Sequence, residues 1–331
     1  MYWKSGTILL LREPDSLMIM SKRVANKYKR NRLCVMLDAL YCSYKYGTSY
    51  SEYEALDFIS RTAKNRATYV TVFWHLENLK KYNPAQYGAV FRNKRVFNEV
   101  FLKYTKKKWL DLSVATEQEI TDFLDTYEKV VLKNSDGCSG KQVLVVDGTE
   151  TSREEILSLI HSGKYNMVEN CIINAPEMAS FNPTSLNTIR IVTVHSENTF
   201  NIVGAFIRIG AIGSRVDNIS MGGSSAIIDV SRGRIITPFR CNDYRRIEGT
   251  QDGRNDVGFE IPYWKETIEM LKEAATVVPQ VHIIGWDVAI TKDGPVLIEG
   301  NESFGTSIMQ YYYSADEDGI KERMQEMIDK L

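Results

Sequence analysis

The stretch Gly285-Trp286-Asp287-Val288-Ala289-Ile290-Thr291-Lys292-Asp293-Gly294-Pro295-Val296-Leu297-Ile298-Glu299-Gly300-Asn301 limits what this chain can fold into more than any other. Two short apolar runs are joined by Lys-Asp-Gly, which reads as a β-hairpin whose loop ends on a left-handed glycine. Taking Lys292, Asp293 and Gly294 as a three-residue loop pairs Thr291 with Pro295 and, counting back, sets Asp287 opposite Glu299. Side chains alternate along a strand, so Asn301 shares the face of Glu299. Two carboxylates and one amide oxygen then converge on one sheet face, with nothing in the sequence to neutralise them. A surface hairpin with its polar groups in water is the opposing reading. It conflicts with the apolar flanks Ile283, Ile284, Val288, Ile290, Val296, Leu297 and Ile298, because a buried carboxylate pair needs a cation or a proton. Oxygen-only sets of this kind suit Mg²⁺, which takes one or two carboxylates and completes its shell with water and phosphate oxygens.

A chain of 331 residues is long for one core and natural for two or three lobes. Net charge is -1, so there is no global bias toward nucleic acid, and none is expected as a partner. The five cysteines are Cys34, Cys42, Cys138, Cys171 and Cys241, an odd number with no CxxC pair. That favours free thiols in a reducing compartment over disulfides or a zinc site. The apolar run Thr7–Leu11 is too short for a signal core or a spanning helix. The sequence reads as cytoplasmic.

The first third reads as helical. Leu33, Met36, Leu37, Leu40, Tyr41 and Tyr44 recur at helical spacing, with Gly47 as a stop. Ser49 or Ser51 caps the next helix, another covers Ala67 to Tyr82, and a further one covers Asn93 to Lys103 with Val96, Phe97, Val100 and Phe101 on one face. From about residue 128 the texture changes to strands: Val130–Lys133, Gln142–Val146, Tyr165–Val168, then Thr188–Val194, Asn201–Ile209, Ser225–Val230 and Ile235–Thr237. Helices are expected over Arg153–His161, Trp264–Val277 and Ile320–Leu331. The expected class is α+β, divided into a helical N-terminal region (1–90), a small α+β lobe (91–172) and a larger sheet lobe with the metal hairpin (173–331).

Several polar groups interrupt the apolar strands. Lys133-Asn134-Ser135-Asp136-Gly137-Cys138-Ser139-Gly140-Lys141 is a loop between strands whose backbone N–H groups can lie over phosphates while its lysines supply charge. It lacks the GxxxxGK[ST] pattern, and a plain solvated hairpin is the simpler reading of it alone. Glu169 ends a strand, and Glu177 follows; such acids can accept from an adenine amino group or a ribose hydroxyl, or sit on the surface. Arg190 and Arg208 lie inside apolar strands and need an anionic partner, either a structural carboxylate or a phosphate. Asp217-Asn218 and Gly222-Gly223 form a polar loop that permits close backbone approach to a ligand, or equally an ordinary turn. No serine–histidine pair stands out among the four histidines, and packing, ahead of a nucleotide contact, is expected of His282.

In this order the pieces resemble the ATP-grasp superfamily. More closely, Asn187-Thr188-Ile189-Arg190, Val216-Asp217-Asn218 with Gly222-Gly223, and Gly285-Trp286-Asp287 with Glu299-Gly300-Asn301 resemble its sugar-transfer-associated family, over roughly residues 30 to 315. Each motif is weak alone; their ordered set is specific. The resemblance implies ATP held between two α+β lobes. It puts Lys133 on the α- and β-phosphates, with Lys94 as the second phosphate lysine and Arg95 as its competitor. Ser139, Gly140 and Lys141 cover the phosphates. Glu169, with the stretch through Cys171, lies at the adenine hinge, and Glu177 lies near the ribose. Asp287, Glu299 and Asn301 hold two Mg²⁺ ions, Arg190 faces the γ-phosphate, and Arg208 and Asn218 line the acceptor side.

The implied activity is carboxylate–amine ligation through an acyl phosphate, on a sugar acid or amino acid in bacterial surface polysaccharide synthesis. Small-molecule kinase chemistry and a nucleotide-binding regulatory role are the alternatives. Many ATP-grasp ligases begin with a Rossmann-like substrate domain. Here the first ninety or so residues read as helices, so the acceptor site does not carry over. Lys22, Arg23, Lys27, Lys29, Arg30 and Arg32 form a basic front with no acid among them. It reads as a solvated helix entry or, alternatively, as a weak peripheral membrane contact.

Overall fold

The structure, a computed structural model, describes residues 14–136, 143–211, 213, 222–241, 256–310 and 318–331. Two compact units are present. One joins Met1–Pro84 to Ser303–Leu331, and the other is Ala85–Glu302.

The discontinuous unit is helical, with α1 (Pro14–Tyr28), α2 (Arg32–Tyr46), α3 (Tyr50–Ala55), α4 (Ala63–Arg66), α5 (Val72–Tyr82) and a C-terminal helix over Lys321–Ile328. Local chemistry fixes the ends. Asn31 caps α2 by accepting from the Leu33 and Cys34 N–H groups, and α2 stops at Gly47 with φ +73°. Ser49, not Ser51, caps α3 and forms a capping box with Glu52. The core gathers Met20, Val24, Val35, Ala39, Tyr53 and Phe58. Beside it Arg66 makes a bidentate ion pair with Asp38, both contacts 2.8 Å, and the Tyr53 hydroxyl donates to the same carboxylate at 2.7 Å.

One sequence expectation changes here. The helix expected from Ala67 starts at Val72. The Gln310 side chain accepts from the Val70 N–H and donates to the Val70 carbonyl, both at 2.9 Å, so those groups are unavailable to a helix. The apolar spacing on α2 does mark a helix, but Leu33, Leu37, Leu40, Tyr41 and Tyr44 face outward. The buried side is Val35, Ala39, Cys42 and Ser43, small residues that let α2 pack closely.

The second unit begins with α6 (Ala85–Arg92), α7 (Lys94–Val100) and α8 (Leu102–Thr105). Phe97 and Phe101 stack at 4.5 Å between centroids and are buried, whereas Val96 and Val100 are exposed and do not share their face. A four-stranded antiparallel sheet follows, in the order β1 (Trp109–Asp111), β4 (Met167–Asn170), β2 (Lys129–Lys133), β3 (Val143–Asp147), with α9 (Glu117–Thr126) and α10 (Arg153–His161) packed on it. After the short α11 (Pro176–Ala179) comes the larger sheet. It contains β5 (Thr188–His195), β6 (Phe200–Ile209), β7 (Ser224–Asp229), β8 (Arg234–Ile235), β9 (Arg240–Cys241), β10 (Ile283–Thr291) and β11 (Gly294–Asn301), with α12 (Trp264–Ala275) between β9 and β10. The strand order is β11-β10-β5-β6-β7-β8, with β9 also on β7.

All eight residues of β5 are buried and β10 is buried up to its last residue, so these adjacent strands form the middle of the core. Trp286 donates to Thr193 Oγ1 at 2.9 Å and lies edge-on to Phe91 and Phe101. Gly300 is needed opposite it, because a Cβ there would stand 2.8 Å from Phe91. One face of the β10–β11 hairpin is thus sealed with aromatics, and its polar residues are confined to the other.

Candidate active site

The β10–β11 hairpin has a two-residue loop, Lys292 and Asp293, instead of the expected three, and Thr291 pairs with Gly294. The Thr291 side chain tightens the turn, accepting from the Asp293 N–H at 3.2 Å and donating to the Gly294 carbonyl at 2.9 Å. Gly294 has φ +103°. Kept along the strand, this register would misplace the carboxylates. Ile298 is an extra residue, a bulge between the Val288–Leu297 and Asp287–Glu299 pairs, and it shifts the register back. Asp287 and Glu299 therefore do stand opposite each other, through a bulge in the strand and not through the length of the turn.

Arg190 on β5 is the neighbour of Asp287 on its other side, so Arg190, Asp287 and Glu299 form one row across three strands. The expectation that nothing neutralises the carboxylates is corrected here. Arg190 forms a bidentate pair with Asp287, with Nη2 at 2.8 Å from Oδ2 and Nε on Oδ1. Arg208 Nη2 lies 2.9 Å from the same Oδ2 and also donates to Thr188 Oγ1. Burial pushes the Asp287 pKa up, but the two guanidinium charges outweigh it and hold the carboxyl down at about 2. Asn301 Nδ2 donates to Glu299 Oε1 at 3.2 Å and to the Gly285 carbonyl at 3.3 Å. Among the described residues no group of three or more His, Cys, Asp and Glu side chains is placed to hold a metal. Two carboxylates and an amide oxygen fit Mg²⁺, which needs few protein ligands, and not a metal that needs a full protein cage.

A second charged cluster joins the two sheets. Glu169, at the end of β4, is 2% exposed. It accepts from Lys133 Nζ at 2.6 Å and Asn98 Nδ2 at 2.8 Å, and Lys107 Nζ lies 3.5 Å away. Burial raises the Glu169 pKa, and the two lysines reverse that, leaving it at about 2. Lys107 is itself 3% exposed, and burial pulls its pKa down to about 8 against the attraction of Glu169. Its ammonium also donates at 2.8 Å to the carbonyl of Ile298, the bulge residue, and feels the charge of Glu299. Lys107 thus bridges the two acidic groups. Sequence reading passed over it, because Lys106-Lys107-Lys108 looks like a solvated charge run. No local signal in Lys-Lys-Lys marks the middle residue; its burial between exposed Lys106 and Lys108 is visible only in the structure.

The remaining candidates are dispersed. Lys94 opens α7, and its N–H donates to the Ser135 carbonyl at 3.0 Å, tying that helix to the segment after β2. Asn93 caps α7 and donates from Nδ2 to Asp136 at 2.9 Å. Arg95, the competitor of Lys94, is engaged by Asp111 and Ser113. Glu177 is exposed on α11, and Cys171 is half-buried just past β4. His282 Nδ1 is 2.9 Å from the His195 carbonyl, a packing contact at the strand ends. Ser139, Gly140, Lys141 and Asn218 lie outside the described residues.

A family model described as sugar-transfer associated ATP-grasp matches residues 76–329. No curated protein matches the chain. Among solved structures, the ATP-grasp ligase PsnB, in complex with a minimal precursor, is 13% identical with a TM-score of 0.45, over 76% of this chain and 64% of that one. The L-amino acid ligase from Bacillus licheniformis is 11% identical with a TM-score of 0.43, over 72% of this chain and 48% of that one. The D-alanine–D-alanine ligase from Coxiella burnetii is 13% identical with a TM-score of 0.40, over 74% of this chain and 62% of that one. The chain spans less than two thirds of the length of each of the three.

Proposed function

Because the chain belongs to the sugar-transfer associated ATP-grasp family, we propose that it is an ATP-dependent carboxylate–amine ligase acting through an acyl phosphate. A carboxylate oxygen of the acceptor attacks the γ-phosphorus of ATP, and ADP leaves. The amine nitrogen then attacks the acyl carbon, inorganic phosphate leaves, and the amine loses a proton as the amide forms. No side-chain nucleophile is required, so positioning and charge stabilisation carry the chemistry.

The row Arg190–Asp287–Glu299 is the observation that best supports this reading. It sets two guanidinium groups, counting Arg208, beside a carboxylate pair on the polar face of the hairpin. Asp287, Glu299 and Asn301 would hold Mg²⁺, two ions by family resemblance, which supplies charge neutralisation on the migrating phosphoryl group when bound. Arg190 meets the γ-phosphate, and Arg208 and Asn218 line the acceptor side. Lys133 and Lys94 contact the other phosphates under Ser139, Gly140 and Lys141. Lys94 is the first candidate for the second phosphate lysine, and Arg95, which pairs with Asp111, is its competitor. Glu169 and Cys171 border the adenine, and Glu177 the ribose. Lys133 pairs with Glu169 and Arg190 with Asp287, which holds both cations on the polar side of their sheets. The acceptor we propose is a sugar acid, or an amino acid destined for a sugar, in bacterial surface polysaccharide synthesis. A cytoplasmic site of action fits the free thiols Cys34, Cys42 and Cys171.

A panel of uronic acids and amino acids with ATP and Mg²⁺, read by ADP formation and product mass, tests the proposal. ADP release that needs both a carboxylate and an amine, with an amide product, supports it. A phosphorylated hydroxyl product would make the chain a kinase. Nucleotide binding with no turnover across the panel would support the regulatory role instead.

A further inference from the structure

The outward face of α2 is a continuous apolar stripe. Leu33, Leu37 and Tyr44 are 62%, 59% and 67% exposed, and Leu40 and Tyr41 complete the stripe at 37% and 47%. Their spacing puts them on one side of one helix, opposite Val35, Ala39, Cys42 and Ser43. Single exposed apolar residues are ordinary, but a contiguous stripe marks a contact surface. Next to its N-terminal end stand Lys22, Lys29, Arg30 and Arg32, all exposed. Arg23 and Lys27 pair with Glu54 and Asp57, whereas among the described residues none of those four pairs with a carboxylate. Residues 16–37 contain no acid at all. Arg32 reaches across to α1, donating to the Met18 carbonyl at 2.9 Å, and so ties the start of the stripe to a segment where Met18 and Ile19 are 50% and 56% exposed.

We propose that this face of α1 and α2 docks on an anionic lipid bilayer, with the apolar stripe at the headgroup boundary and the four cations against lipid phosphates. The mixture suits that boundary. Leucines enter the acyl edge, Tyr41 and Tyr44 keep their hydroxyls among the headgroups, and long basic side chains extend toward charge. No helix among the described residues is long and apolar enough to cross a membrane, so the contact is peripheral. Charge decides against a second copy of the chain: packed parallel it would set the basic end against itself, and packed antiparallel against exposed Lys45 at the other end of the helix. Shape favours a bilayer over an acidic protein. The stripe is a convex ridge on one helix, which a deformable surface fits and a rigid partner must match with a groove. The inference is independent of the ligase reading, since docking is measured without nucleotide or acceptor.

Co-sedimentation of the full chain with vesicles tests it. Binding is expected to vesicles containing phosphatidylglycerol at low salt, and not to pure phosphatidylcholine. It should disappear at about 1 M salt, where the screening length is ~3 Å. Each basic residue neutralised should weaken partitioning about fivefold, equivalent to ~1 kcal/mol. The double variant Lys29→Gln, Arg30→Gln should therefore bind roughly twenty-five-fold more weakly. The pair Leu33→Ser, Leu37→Ser should abolish binding with unchanged circular dichroism, because both positions face outward. Failure to bind anionic vesicles at low salt overturns the proposal, and so does binding that the serine pair leaves intact. Self-association in sedimentation equilibrium that the serine pair abolishes, with no vesicle binding, would assign the stripe to a second copy. Capture by acidic polypeptides without vesicle binding would assign it to a protein partner.

Discussion

Asp287 and Glu299 face each other, yet their substitution has unequal consequences. Glu299→Gln deletes one charge at a half-buried position and should remove ATP turnover while leaving the urea midpoint nearly unchanged. Asp287→Asn also strips Arg190 and Arg208 of their buried counter-ion and should cost about 3 kcal/mol of stability besides activity. Wild-type turnover in Glu299→Gln would remove that residue from the metal set.

Glu169 provides a pH test. Its pKa in the fold is about 2, below the ordinary 4.5, so its stabilising contribution is complete above 4.5 and is lost as pH falls toward 2. The contribution is on the order of 3 kcal/mol. Urea midpoints of wild type and Glu169→Gln should converge as pH falls from about 4.5 toward 2; a constant gap would disconnect Glu169 from acid stability. Lys107→Met leaves the Ile298 carbonyl without its donor and Glu169 with a single lysine, which then holds Lys133 more tightly. The Michaelis constant for ATP should rise about tenfold, equivalent to ~1.4 kcal/mol, and Lys107→Arg should recover part of it. A variant that only melts earlier, with the same Michaelis constant, would reduce Lys107 to a structural role.

Among the elements, the hairpin shows what pattern can and cannot convey. Alternation and a turn glycine identify two strands and place Gly294 at positive φ. They do not locate an inserted residue, since Val-Leu-Ile reads equally well with or without a bulge at Ile298. The expected pairing of Asp287 with Glu299 is present for a different reason from the one that predicted it. A side chain on Gly294 would meet nothing within 4 Å, so Gly294→Ala tests backbone strain alone and should cost about 1–2 kcal/mol in chemical denaturation. No loss of stability would mean the turn can adopt another conformation. Helix α2 teaches the converse. Its apolar period was legible, but which side is buried depends on what packs there. Small Ala39, Cys42 and Ser43 admit a neighbour more closely than leucine and tyrosine do.

At the scale of the molecule, the α+β class and most strands from β2 to β11 were legible because apolar runs and turn residues are local signals, whereas the ATP-grasp fold was legible only through the resemblance of the ordered motifs to that family. The return of Ser303–Leu331 to the first unit was not, because it rests on single long-range contacts such as Gln310 bracketing Val70. Lys107 was hidden for the same reason, since its partners lie on β4 and β11. A chain cut after Glu302 loses Met309, Ile320, Met324 and Ile328, all buried at 4% or less, and should lose helical signal and protease resistance in residues 14–84. Unaltered protection of those residues in hydrogen exchange would show that the N-terminal helices stand without the returning segment.

That return also sets an order of assembly. As the chain emerges from the ribosome, the helices of residues 14–84 appear before residues 85–302, and the residues that complete their unit only after them. Synthesis of the intervening residues 85–302 takes roughly ten to forty seconds at ordinary translation rates. For that interval the opening segment is exposed and unfinished, while the unit carrying Asp287 and Glu299 can already close around its own core. Chaperone capture of the nascent helices of that unit, released only as residues 303–331 clear the exit tunnel, is the expected course of its folding.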